Sequence, residues 1–165
     1  MQLHISGIEQ ESIVDGPGFR YVIFTQGCPH HCEGCHNPET WPFEGGKTVE
    51  TDELLKEISA NPMLKGVTFS GGEPFCQPAP LAELAKRVHG LGKNVVTYTG
   101  FLYEELAARH DPEIDALLAE TDLLIDGPFI LAQRDLELTF RGSANQRVID
   151  LKQTRERGAV TLWQP

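Results

Sequence analysis

The sequence FRYVIFTQGCPHHCEGC, residues 19–35, places an apolar run directly before a loop that carries three cysteines. The run contains Val22-Ile23-Phe24 and follows the turn signal Gly16-Pro17-Gly18. Short apolar runs bounded by turn residues are typical of buried strands. We therefore predict that Phe19 to Thr25 forms a strand whose carboxyl end leads into the cysteine loop.

Beyond this loop the chain alternates helical and strand patterns. Further strands are predicted at Val67 to Ser70, Asn94 to Tyr98, Leu123 to Ile125, Val148 to Leu151 and Ala159 to Trp163. Helices are predicted from a cap at Thr51, after Pro80, and over Glu104 to Arg109 and Pro112 to Ala119. Such alternation favours parallel strands joined by crossovers.

The chain has 165 residues, whereas a complete eight-unit barrel takes about 250. We therefore predict an α/β fold, an open or partial β/α barrel with a mostly parallel sheet of about five to six strands. One domain over residues 1–165 is expected from this length.

Charge and composition limit the classes of partner. The net charge of −10 argues against nucleic acid binding, and no apolar run approaches the roughly 20 residues that span a bilayer. No secretory signal is visible, so we expect a cytoplasmic protein whose four cysteines serve a metal or catalysis rather than disulfides. From Asp126 onward, six Lys and Arg stand against five Asp and Glu, which indicates either a surface that docks a partner or arginines solvated on loops.

Four chemically suited residues follow successive predicted strands. Cys28 follows the first, Gly71 the second, Thr99 the third and Asp126 the fourth. Carboxyl ends of parallel strands meet at one edge of a sheet, where α/β proteins place their sites. We therefore expect one site at this edge.

The spacing of Cys28, Cys32 and Cys35 indicates a soft metal centre. Three thiolates would hold a [4Fe-4S] cluster and leave one iron open to another ligand. The alternative is a structural zinc site whose fourth ligand is Cys76 or one of His30, His31 and His36. We expect Cys76 to be a small buried apolar residue instead of a ligand.

A second motif, Ser70-Gly71-Gly72-Glu73-Pro74, follows the second strand. Glycines let a ligand lie against bare backbone, and the carboxylate of Glu73 suits a cationic group. We predict that a side chain at Gly72 would intrude on the ligand and leave the cluster intact. An ordinary strand-to-helix turn is the alternative.

These motifs together carry a family resemblance. CPHHCEGC followed by SGGEP resembles the radical S-adenosylmethionine superfamily. Four further stretches are similar to the activating enzymes of anaerobic (class III) ribonucleoside-triphosphate reductase: ESIVDGPGFRYVIFTQGCPHHCEGCHNPETW, Tyr98 to Gly100, Leu124 to Phe129, and RGSANQRVIDL at Arg141 to Leu151. The pattern after the second strand also ends in Asp within this family, so Glu73 is a mild variation.

The resemblance implies a division of labour among the residues. Cys28, Cys32 and Cys35 would hold the cluster and carry the catalytic electron transfer. S-adenosylmethionine would bind the open iron and be lined by Gly34, Cys35, His36, Gly71, Gly72, Glu73, Thr99 and Asp126. Its reductive cleavage to methionine and a 5'-deoxyadenosyl radical would remove a hydrogen atom from a glycine of the reductase. The resemblance also implies a low-potential electron donor such as flavodoxin or ferredoxin.

Other functions remain open on the residues alone. The chain is also similar to the activating enzyme of pyruvate formate-lyase, a longer glycyl-radical activase. A non-catalytic metal-binding or redox-sensing module would need only the cysteine loop, and a radical enzyme acting on a small molecule would need more chain to enclose its substrate. Arg141 and Arg147 are expected to dock the reductase or, alternatively, to pair with acidic residues of this chain.

Overall fold

A seven-stranded mixed sheet organises the protein in a computed structural model that describes all 165 residues. The strands are β1 Gln2–Ser12, β2 Arg20–Thr25, β3 Lys47–Glu50, β4 Gly66–Gly71, β5 Asn94–Tyr98, β6 Leu123–Asp126 and β7 Arg147–Asp150. The α-helices are α1 Thr51–Ser59, α2 Pro78–Gly90, α3 Tyr103–Ala108, α4 Pro112–Glu120 and α5 Leu151–Arg157.

The centre of the sheet is parallel and its flanks are antiparallel. The strand order is β3-β1-β2-β4-β5-β6-β7, and β2, β4, β5 and β6 pair in parallel. The pairs β1–β2, β1–β3 and β6–β7 are antiparallel. The two outer strands do not pair with each other, so the predicted open α/β sheet is confirmed.

Hydrophobic packing on both faces holds the sheet in place. The main core has 23 buried residues, among them Val67, Phe69 and Val95 of the strands and Leu81 and Leu84 of α2. Since side chains alternate along a strand, Val96 of β5 points to the other face. There it packs with Leu123 and Ile125 in a smaller cluster that Trp163 partly covers.

The sequence pattern missed the antiparallel flanks. Strand β1 pairs along one side with β2 and along the other with β3, yet it contains Gly7 and two glutamates and alternates imperfectly. Strand β3 is almost wholly exposed. Hydrophobic alternation is weak in such strands because only part of each face is buried, whereas most residues of the central parallel strands are buried.

Two local predictions were wrong, and one helix was missed. Ala159 to Trp163 is not a strand and makes only an isolated bridge between Leu162 and Ile149. The last helix, α5, was not anticipated. Thr51 is the first residue of α1 and not its cap, and its hydroxyl donates to Glu83 Oε2 at 3.0 Å.

The turn before β2 is held by a buried arginine. Arg20 is fully buried and donates to Thr68 Oγ1 at 2.8 Å, Pro17 O at 3.0 Å and Val67 O at 2.8 Å. Burial lowers the pKa of Arg20 to about 10. The Thr68 hydroxyl donates in turn to Asp15 O at 2.7 Å, which places residues 14 and 15 beside the carboxyl edge of the sheet.

None of the five helices combines the length and the apolar character that crossing a bilayer requires.

Candidate functional site

A cavity of about 470 Å³ lies at the carboxyl edge of the parallel strands. Its wall includes Cys28 after β2, Gly71 at the end of β4, Thr99 after β5 and Gly127 after β6. The volume is in the range of small-molecule sites. The sheet topology thus brings residues that follow the four parallel strands to one place. Cys28, Gly71 and Thr99 of the predicted set line the cavity, and Gly127 stands there instead of Asp126.

The cysteine loop forms one wall of this cavity. Cys28, Cys32 and Cys35 all line it, Cys28 being buried and the other two half-buried. Backbone bonds from Gly27 N to Thr40 O (2.7 Å) and from Cys28 N to Trp41 O (3.1 Å) tie both ends of the loop together. The loop therefore projects its three thiols from a closed base.

Burial has the largest effect on the pKa of the Cys28 thiol. It raises the pKa of this thiol, while the backbone N–H groups of His30 and His31 oppose the rise and the charge of Glu73 adds to it. The thiol is therefore favoured in its protonated form, and metal binding must release the proton.

The donor set of the cysteine loop suits an iron-sulfur cluster. Three thiols of one short loop facing a common cavity match the soft ligands that such clusters take. No three Cys, His, Asp or Glu side chains converge closely enough to hold a metal ion. In such a cluster each thiolate binds a different iron atom, so the three thiols need not converge on a single ion, and the donors fit the group in kind.

Glu73 forms the centre of a buried hydrogen-bond network. Its carboxylate is fully buried and lies 2.6 Å from His30 Nε2. It also accepts from the Thr99 hydroxyl, from Gly100 N at 2.8 Å and from Phe75 N at 3.0 Å. The side chain that Glu73 contacts in this structure is thus His30 of the cysteine loop, so this network ties that loop to the ends of β4 and β5.

The glycine pair allows backbone segments to approach each other closely. Gly71 has φ +135°, and a Cβ there would lie 2.5 Å from both N and O of Thr25. A Cβ on Gly72 would overlap Thr25 O and lie 2.8 Å from Gly27 O. Glu73 N donates to Gly27 O at 2.9 Å, one residue before the first cysteine. A side chain at Gly72 would thus meet protein backbone first, whereas the sequence led us to expect that it would meet the ligand.

We expect Gly72→Ala to lower the free energy of unfolding by about 1–3 kcal/mol, since the added Cβ overlaps backbone that has little room to move. Cluster content should fall with it, because the displaced segment leads into Cys28. Urea unfolding and iron analysis after anaerobic reconstitution measure both. Gly90→Ala is the matched control, as its Cβ would meet nothing within 4 Å. Normal stability of Gly72→Ala would show that the backbone contact is unimportant.

Some predicted site residues lie away from the cavity. His36 lines it, but Gly34 and Asp126 do not. Gly34 adopts φ +77° and shapes the loop. Cys76 was expected to be buried and is exposed, outside the cavity. Its position argues against it as a fourth ligand.

Asp126 belongs to an ion-pair network inside the chain. Arg147 donates to it through Nε at 3.0 Å and through a terminal nitrogen at 2.5 Å, and Tyr103 N donates at 2.8 Å. Arg147 also contacts Glu104 at 2.6 Å, and its hydrogen bonds to Asp126 and Glu104 raise its pKa. Arg147 therefore pairs internally, which removes it from the docking hypothesis.

Trp41 and Gln146 are among the cavity residues that the sequence analysis did not name as candidates. Trp41 stacks on His31 with ring centroids 4.7 Å apart. Gln146 Oε1 accepts from Gly142 N at 2.9 Å and Ser143 N at 3.2 Å. Both lie inside stretches that carry the family resemblance, which was the available signal.

Comparison with known proteins agrees with this geometry. Residues 14–149 match the family model of the 4Fe-4S single cluster domain. The anaerobic ribonucleoside-triphosphate reductase-activating protein of Vibrio cholerae is 37% identical over 144 residues, covering 81% of this chain and 89% of that protein. The protein of the same name from Escherichia coli K12 is 33% identical over 150 residues, covering 85% and 94%. The chain belongs to this family of activating proteins. Its resemblance to the family, read from the sequence, is confirmed.

The chain is also similar to a second group of activating enzymes. The pyruvate formate-lyase-activating enzyme of Staphylococcus epidermidis is 37% identical over 156 residues, covering 88% of this chain and 60% of that enzyme. Among solved structures, QueE from Escherichia coli has a TM-score of 0.48 and 22% identity, covering 61% of this chain and 53% of that one.

Proposed function

We propose that this protein is a radical S-adenosylmethionine enzyme that installs a glycyl radical in anaerobic ribonucleoside-triphosphate reductase. The observation that carries the proposal is the single cavity in which the three cysteines face the glycine turn after β4. The names of the relatives support the choice of reductase as protein substrate.

Cys28, Cys32 and Cys35 would hold a [4Fe-4S] cluster, and Gly71, Gly72, Thr99 and His36 would line the cofactor beside it. When bound and reduced by an electron donor, the cluster and S-adenosylmethionine supply a radical that abstracts hydrogen. The chain's own task is to orient the cofactor and exclude competing reactions.

Glu73 acts in this proposal as a positioning residue for the cysteine loop. Its carboxylate is enclosed by donors of this chain, so a cofactor amino group reaches it only by displacing His30. Asp126 is likewise assigned to the pair with Arg147, and Gly127 takes its place in the cavity wall.

The proposal is tested by electron paramagnetic resonance. The reconstituted protein is incubated anaerobically with a reductant, S-adenosylmethionine and either anaerobic ribonucleoside-triphosphate reductase or pyruvate formate-lyase. We expect a glycyl doublet with the reductase and none with the lyase. A doublet only with the lyase would transfer the protein to the second group of activases. No S-adenosylmethionine cleavage by the cluster-loaded protein would leave a metal-binding or redox-sensing module.

A further inference from the structure

The cavity contains hydrogen-bond donors that lack acceptors. Three buried side-chain polar atoms have no partner, and two of them, Trp41 Nε1 and Arg141 Nε, belong to residues that line the cavity. Both atoms carry N–H groups and can only donate. Since folded proteins pair nearly all buried polar groups, these donors indicate acceptor atoms on a ligand.

Arg141 has a positive charge without a counter-ion. Its one side-chain hydrogen bond runs to the main-chain oxygen of Gln146, at 3.1 Å, and no carboxylate lies within ion-pair distance. Arg147 of the same turn is paired with two carboxylates. The charge of Arg147 is thus neutralised within the chain, whereas Arg141 lines the cavity without a counter-ion.

The turn keeps its shape through residues other than Arg141. Gln146 accepts from two backbone N–H groups and donates to Gly127 O at 3.0 Å. Asn145 donates to Pro128 O at 2.7 Å and accepts from Ser143 Oγ at 2.6 Å. The turn therefore positions Arg141, and the Arg141 side chain contributes little to the conformation of the turn.

Arg141 is also the one Lys or Arg among the residues that line the cavity. The one carboxylate there, Asp15, accepts a hydrogen bond from Ser12 Oγ at 2.6 Å and does not pair with Arg141. The next residue, Gly142, packs on Phe129, whose ring lies 5.4 Å from that of His36. One aromatic side chain thus links the arginine turn with the cysteine loop.

We propose that Arg141 binds the carboxylate of the ligand in this cavity, which is the amino-acid carboxylate of S-adenosylmethionine. This inference rests on the proposed function. A guanidinium is suited to a carboxylate by charge and by its forked geometry. A ligand carboxylate would satisfy the free Nε–H and supply the counter-ion that the chain lacks.

The test measures equilibrium binding to the cluster-loaded protein by calorimetry. The ligands are S-adenosylmethionine and decarboxylated S-adenosylmethionine, which keeps the amine, the sulfonium and the adenosine. We expect Arg141→Gln to weaken binding of S-adenosylmethionine by about tenfold or more while leaving binding of the decarboxylated compound unchanged. Arg134→Gln is the matched control, because Arg134 is exposed in the same loop and makes no ion pair. The iron content of each variant is measured as well, and we expect it to equal that of the wild type because cluster assembly does not depend on Arg141.

Three results would overturn the assignment. Equal affinity of Arg141→Gln and wild type for S-adenosylmethionine would remove Arg141 from the site. Equal weakening of both ligands would give it a structural role. Normal cofactor binding with weakened binding of the reductase would place the carboxylate on the protein substrate. Failure of the wild-type protein to bind S-adenosylmethionine at all would instead overturn the proposed function.

Discussion

Replacing any one of Cys28, Cys32 and Cys35 with Ala is expected to abolish stable cluster assembly and glycyl radical formation. Each cysteine supplies one thiol from the loop, and the cavity wall contains no fourth cysteine. Loss of one ligand therefore leaves an incomplete set. Iron and sulfide analysis after anaerobic reconstitution measures the first effect, and electron paramagnetic resonance measures the second.

Cys76→Ala is the control for this series, because Cys76 is exposed and lies outside the cavity. It should retain most of the cluster and most of the radical yield. If Cys76→Ala lost the cluster while Cys35→Ala kept it, the ligand assignment would be wrong.

Arg147→Ala is expected to lower the free energy of unfolding by about 3 kcal/mol. The carboxylate of Asp126 is fully buried, and the substitution removes its charged partner while leaving the charge in place. Removing one member of a buried pair costs about 3–5 kcal/mol, and the partial exposure of Arg147 favours the lower end. Urea unfolding of the cluster-free protein measures the change.

Two further variants distinguish the stability contributed by the buried pair of Arg147 with Asp126 from that of the exposed pair with Glu104. The double variant Arg147→Ala, Asp126→Asn should recover much of the lost stability, because no unpaired charge remains. Glu104→Gln alone should cost less than about 1 kcal/mol, since its side chain is mostly exposed. A single Arg147→Ala variant as stable as the wild type would contradict the buried pair.

The parallel centre of the sheet could be predicted from the sequence, and its flanks could not. A strand such as β6 is covered on both faces, so its apolar run Leu123-Leu124-Ile125 is visible in the sequence. Strand β1 has a solvent-facing side and a register shift between Ile5 and Gly7, and both features weaken its pattern. Long-range pairing with β2 and β3 decides its conformation.

The sequence by itself indicated the kind of site in this protein. The cysteine spacing is a local pattern typical of a soft metal centre, and the glycine turn is a local pattern that suits a ligand lying against backbone. The sequence also placed them at one edge of the sheet through the alternation of strands and helices. Only the tertiary structure decided that Gly72 faces backbone and that Glu73 binds His30. The tertiary structure also decided that Arg147 is paired and Arg141 is not. The carboxylates that pair with Arg147 lie 21 and 43 residues away along the chain. Contacts at such separation depend on how the strands assemble, and no local pattern records them.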